Sequence, residues 1–141
     1  MRARDLLVVV CTLLLPCGVR AQALGPVETA VRYLQASKAK RCDEVWSLYS
    51  AGTQVNLRAA ARGRDAAPEK TCPGMQAAIK RGSPRLVREQ GDEAVVEVVF
   101  RGRASASRHD TGTITTWKQE VKLVREAEAW KVELQRLEVK P

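Results

Sequence analysis

The stretch AVVEVVFR, Ala94–Arg101, decides the fold. It is β-branched and nearly continuous, the composition of a central strand with little exposure. Downstream, Thr113–Val124 alternates. Thr113, Thr115, Trp117, Gln119, Val121 and Leu123 share one face, and Ile114, Thr116, Lys118, Glu120, Lys122 and Val124 share the other. That is the two-residue period of a half-buried strand. A last strand follows, with Trp130, Val132 and Leu134 on one side and Lys131, Glu133 and Gln135 on the other, continuing toward Val139. Between these runs lie a Gly91-Asp92 turn fed by Arg85–Gln90, a polar loop over Gly102–Gly112 and a hairpin loop over Arg125–Ala129. Consecutive strands with short connections pair as hairpins.

Upstream of Pro84 the period is helical. Val27, Ala30, Val31 and Leu34 follow i, i+3, i+4, i+7 spacing, with Tyr33 beside them and Pro26 at the start, which predicts a helix from about Pro26 to Ser37. Asp43 and Glu44 open a second helix, whose face is Val45, Leu48 and Tyr49 with Trp46 alongside. Ser50-Ala51-Gly52 reads as its C-terminal stop. Thr53–Arg62 reads as a short third helix, Gly63–Cys72 as a loop, and Pro73–Lys80 as a further helix with Met75, Ala78 and Ile79 inward. Helices first and a meander second define an α+β fold, with N-terminal helices on an antiparallel sheet of about four strands.

Residues 1–23 carry an export signal: Arg2 and Arg4, an apolar run over Leu6–Leu15 broken by Thr12, then Ala21-Gln22-Ala23 as a cleavage site. The run is too short for a lasting bilayer anchor. Cleavage predicts one mature domain over residues 24–141, periplasmic or extracellular, in a bacterial setting. Leu14-Leu15-Pro16-Cys17 also resembles a lipobox, which makes lipid anchoring through Cys17 the alternative. Of four cysteines, Cys11 and Cys17 leave with the signal, so Cys42 and Cys72 are expected to form a disulfide.

The chain has a net charge of +8. Much of the excess sits between Arg58 and Arg88, where eight cations face Asp65 and Glu69. Arg62, Arg64, Arg81 and Arg85 are the basic-patch candidates. Outside the cytoplasm such a patch points to an anionic envelope component rather than to nucleic acid.

Val31-Arg32-Tyr33-Leu34, a polar turn, and Asp43-Glu44-Val45-Trp46-Ser47-Leu48-Tyr49 resemble the opening of the NTF2-like (cystatin-like, cone-shaped) superfamily. Trp117–Leu123 followed by Ala129-Trp130-Lys131-Val132 is similar to the last hairpin of its small exported bacterial members. The resemblance implies a strongly curved sheet wrapped on helices, a pocket at the wide end, and pairing of two copies through the open sheet face. That face here carries Lys118, Glu120 and Lys122. It also brings in enzymatic relatives, among them isomerases that use a tyrosine on helix one and an aspartate just after helix two. Tyr33 falls near the tyrosine position. The aspartate's place reads Gly52-Thr53-Gln54-Val55-Asn56-Leu57, without a carboxylate. A proton abstraction with no base in reach has no first step.

The aromatic residues Tyr33, Trp46, Tyr49, Trp117 and Trp130 are the ligand-pocket candidates, since small-molecule sites are mostly apolar. His109 beside Asp110 lies in a polar loop without an activated nucleophile, and one His with two distant cysteines makes no metal set. No catalytic residue, metal or cofactor is assigned. The reading favours an exported, non-enzymatic binding or interaction domain for a small ligand or protein partner. Two alternatives stand beside it: an NTF2-like isomerase or hydrolase drawing an acid or base from Glu97, Glu120 or Glu133, and an envelope-associated structural protein using the basic segment.

Overall fold

The computed structural model describes residues 23–62, 67–74, 77–103 and 114–134. Among the described residues three helices precede a curled antiparallel sheet, and the first two pack on its inner face. The order is α1 (Pro26–Lys38), α2 (Cys42–Leu48), α3 (Ala51–Ala60), a single 3-10 turn (Pro68–Lys70), then β1 (Ala78–Ile79), β2 (Arg85–Gln90), β3 (Glu93–Arg103), β4 (Ile114–Glu126) and β5 (Ala129–Val132).

Pro26 occupies the first turn of α1, where its missing N–H costs nothing. The buried side is Thr29, Ala30, Tyr33, Leu34, Ala36 and Ser37. The expected stripe is thus rotated: Ala30 and Leu34 are fully buried, Val27 and Val31 are partly so, and Tyr33 and Ser37 take the inner positions. The helix stops with Lys40 at φ 55°, while Lys40 N–H donates to Ser37 O and Arg41 N–H to Ala36 O. This is a Schellman cap with lysine where glycine is usual. Glu44 in the first turn of α2 accepts from Arg32 Nε at 2.6 Å and Arg41 Nε at 2.7 Å, which ties α2 to α1. Those two hydrogen bonds hold its carboxyl below the ordinary range despite partial desolvation.

The second helix ends earlier than the sequence predicts. Tyr49 is extended and forms a parallel bridge to Val132, and Ser50 N–H donates to Val132 O at 2.9 Å. Ser50 therefore caps α3 instead of ending α2. Its Oγ accepts from Thr53 N–H at 3.1 Å, and Gly52 lies inside α3. Across the sheet, the Glu126 carboxylate accepts from Ala51 N–H at 3.1 Å, adding negative charge at the helix start. Leu134 N–H donates to Thr53 Oγ1 at 3.1 Å.

The helix expected over Pro73–Lys80 is not formed. Ala78 and Ile79 pair with Arg101 and Phe100 as β1, because the open edge of a long strand outcompetes a short segment's local helix propensity. Met75 lies outside the described residues. β1 and β2 share one edge of β3, and β4 takes the other, with β5 beyond it. The side chains of β2 are all exposed, and its register shifts between Leu86 and Arg88. On β3, Ala94, Val96, Val98 and Phe100 face inward, as the β-branched run predicts. They meet Leu34, Val45, Val121, Leu123 and Val132 in one core. Continuation of the last strand past Leu134 lies outside the described residues, as do Arg64, His109 and residues 1–22 of the stretch 1–23 expected to be an export signal.

β4 and β5 are joined by two residues, Ala127 and Glu128, between the paired Glu126 and Ala129. Both have positive φ, 47° and 66°. A type I′ turn demands this, and Asn-Gly is its preferred sequence. Replacing Ala127-Glu128 with Asn-Gly is expected to stabilise the domain by about 1–2 kcal/mol. Urea denaturation reads this as a higher midpoint at unchanged slope.

Candidate functional site

The structure distributes the five aromatic candidates over three places. Tyr33, Tyr49 and Trp46 form one chain of rings. The centroids of Tyr33 and Tyr49 are 5.7 Å apart, and those of Trp46 and Tyr49 are 6.2 Å apart edge-on. Burial, reinforced by the adjacent Tyr33 hydroxyl, holds the Tyr49 phenol protonated far above its ordinary range. The outer ring, Trp46, is half-buried beneath the Arg58 guanidinium at 5.1 Å. Trp117 stands apart. It is 41% exposed, stacks on Phe100 at 5.8 Å, and lies so close to Gly102 that an added Cβ there would sit 3.0 Å from its ring. Trp130 is buried on β5, with Arg125 over its face at 4.6 Å.

Tyr49 also reaches an open groove of about 420 Å³. One side of this groove is α3, through Leu57, Ala60 and Ala61. The other is the disulfide segment, through Pro68, Thr71, Cys72 and Pro73, and Leu134 closes it from the sheet. No charged side chain lines it among the described residues. Its walls follow from the chain. α3 has one fully buried side chain, Thr53, so its Leu57 side is left to face a neighbour. The Cys42–Cys72 bridge spans 30 positions and brings that neighbour in. Sequence reasoning nominated Tyr49 and the cysteines here but missed Leu57, Pro68, Pro73 and Leu134. The signal was present: Leu57 follows Thr53 by four residues on a helix with little else to bury.

A second concavity of about 380 Å³ contains Tyr33, Gln119, Val121 and Val132, together with Glu120, Lys122 and Glu133. It wraps the margin of β4 where β5 stops. Residue alternation puts Glu120 on the opposite sheet face from Val121. Glu133 is engaged by Lys122 at 2.9 Å. Glu97 lies directly across from Glu120 on the outer sheet face, between Arg85 at 2.9 Å and Lys118 at 3.4 Å. Of the three glutamates considered as acid or base, Glu120 and Glu133 thus line one concavity with Tyr33, while Glu97 does not.

The basic candidates also divide. Arg62 is exposed just past the end of α3, and Arg64 lies outside the described residues. Arg81 and Arg85 come together, joined by Lys80 and by Lys118 from a distant strand. Among the described residues there is no cluster of His, Cys, Asp and Glu able to hold a metal ion. No described helix is long and apolar enough to cross a membrane. No protein-family model matches the chain, and no curated protein is significantly similar to it.

Proposed function

We propose that this chain is an exported, non-catalytic binding domain of the NTF2-like kind that holds an apolar ligand in the groove between α3 and the disulfide segment. The observation that carries the reading is the groove itself: about 420 Å³, walled by Leu57, Ala60, Ala61, Pro68, Pro73 and Leu134. Ligand sites of this size bind chiefly through apolar walls and a few polar groups. The polar groups here have little chemistry to offer. Thr71 Oγ1 donates to Ala67 O at 3.3 Å, the Cys72 sulfur is held in a disulfide, and the Tyr49 phenol stays protonated. None is a nucleophile or a base at neutral pH. The disulfide agrees with an oxidising compartment, and so with removal of residues 1–23 on export.

The neutral fluorophore N-phenyl-1-naphthylamine tests the reading. The oxidised domain is expected to bind it saturably, with a blue shift and enhanced emission. Leu57→Arg places a charge in the groove and is expected to weaken binding at least about ten-fold, while circular dichroism stays unchanged. Equal affinity of the variant and the parent, or no saturable binding by the parent, would refute the proposal.

A further inference from the structure

We propose that the outer sheet corner formed by Lys80, Arg81, Arg85 and Lys118 is a binding site for a phosphate group. These four side chains come from the β1–β2 turn, β2 and β4, and line one concavity of about 460 Å³. A single carboxylate, Glu97, lines it with them. Four cations against one anion leave +3 among the lining residues, with Glu120 next to Glu97 on the same face just outside them. Glu97 is already used: Arg85 Nη2 is 2.9 Å from one oxygen and Lys118 Nζ is 3.4 Å from the other. Burial on the strand would raise its pKa, yet those two hydrogen bonds outweigh burial and hold it below the ordinary range. Lys80 and Arg81 have no ion-pair partner among the described residues.

The turn backbone of the corner is tied to β3. Lys80 N–H donates to Val99 O at 2.9 Å, and Ser83 N–H closes the turn onto Lys80 O at 3.0 Å. Gly82, at φ +72°, supplies the positive φ that a type II turn needs at its third residue. Ser83 Oγ donates to Val99 O at 3.1 Å and accepts from Val99 N–H at 3.2 Å. Lys118 is the cross-strand partner of Val99 on the other side. Lys80 and Lys118 therefore flank the same residue, and Arg101 follows two positions along β3 on the same face. Like charges gathered on one sheet face repel, though more weakly than when directly opposite. A doubly charged oxyanion relieves that repulsion, and a phosphate monoester carries about −1.5 to −2 at neutral pH. Guanidinium and ammonium donors on a preformed turn suit it. The site is separate from the apolar groove and does not depend on how that groove is used.

The experiment is a titration with inorganic phosphate at pH 7 and constant ionic strength, followed by amide chemical shifts of the 15N-labelled oxidised domain. Saturable shifts at Arg81, Gly82 and Ser83 are expected. Lys80→Ala with Arg81→Ala should weaken binding by at least about ten-fold. Glu97→Gln removes the internal competitor and should tighten it several-fold. Lys38→Ala with Lys70→Ala, an equal loss of charge elsewhere, should leave it unchanged. Unaltered affinity in the first variant, weakened affinity in Glu97→Gln, or an equal loss in the charge control overturns the assignment. Co-sedimentation with phosphatidylcholine vesicles, with and without phosphatidic acid, identifies the source of the phosphate. Binding that requires phosphatidic acid and is lost in the double variant assigns a lipid headgroup. Phosphate binding without vesicle binding assigns a soluble phosphate ester.

Discussion

Phe100→Ala is expected to destabilise the domain by about 3–5 kcal/mol, the usual cost of deleting a fully buried aromatic ring and leaving a cavity. Phe100 is 1% exposed on the inner face of β3 and stacks on Trp117. Small domains have about 5–15 kcal/mol in all, so the variant should retain only part of its stability. Urea denaturation at equilibrium measures the change. Val99→Ala, one residue away on the opposite face, is the informative comparison. Val99 is half-buried, and the expected cost is about 1 kcal/mol. A one-residue slip in register would exchange the two outcomes, because it turns every side chain of the strand to the other face. A large loss at Val99 and a small one at Phe100 would therefore contradict the sheet described above.

Removing the disulfide by Cys42→Ser with Cys72→Ser is expected to cost about 2–4 kcal/mol, largely by releasing the unfolded chain. It should also spoil the groove. The backbone hydrogen bonds of segment 67–74 are internal: Lys70 N–H donates to Ala67 O and Thr71 N–H to Pro68 O. Besides the bridge, an Arg58–Glu69 ion pair at 3.0 Å ties the segment to α3. Exposed pairs of this kind contribute little to stability, too little to hold a wall in place alone. The double serine variant, and the parent treated with reductant, should therefore lose N-phenyl-1-naphthylamine binding by at least about ten-fold under conditions where the far-ultraviolet spectrum remains native. Full affinity without the bridge would show that the disulfide segment does not form the wall.

The hydropathy rhythm on either side of Pro84 was enough to place helices before strands, and Ala94–Arg101 was enough to orient the central strand. Both are local signals that the core then uses directly: every second residue from Ala94 to Phe100 is buried. What the sequence hid was long-range. Ser50 looked like the end of α2, and only the bridge from Tyr49 to Val132 turns it into the cap of α3. Ala78-Ile79 looked helical until Arg101 and Phe100 offered it an edge. The same holds for the sites. The aromatic side chains were visible as a set, yet three join through contacts between helices while Trp117 and Trp130 go elsewhere. Lys118 could not be linked to Arg81 and Arg85 without the β3–β4 register. The apolar groove is built by a covalent tie across 30 residues, so its far wall carries no periodic signal.

Chemical-shift mapping of N-phenyl-1-naphthylamine on the 15N-labelled oxidised domain addresses the binding reading without any substitution. The account predicts saturable shifts concentrated at Leu57, Ala60, Ala61, Cys72 and Leu134, with the outer sheet face around Val99 and Lys118 unmoved. Shifts gathered instead around Glu120, Lys122 and Glu133, or spread evenly with no saturation, would contradict it.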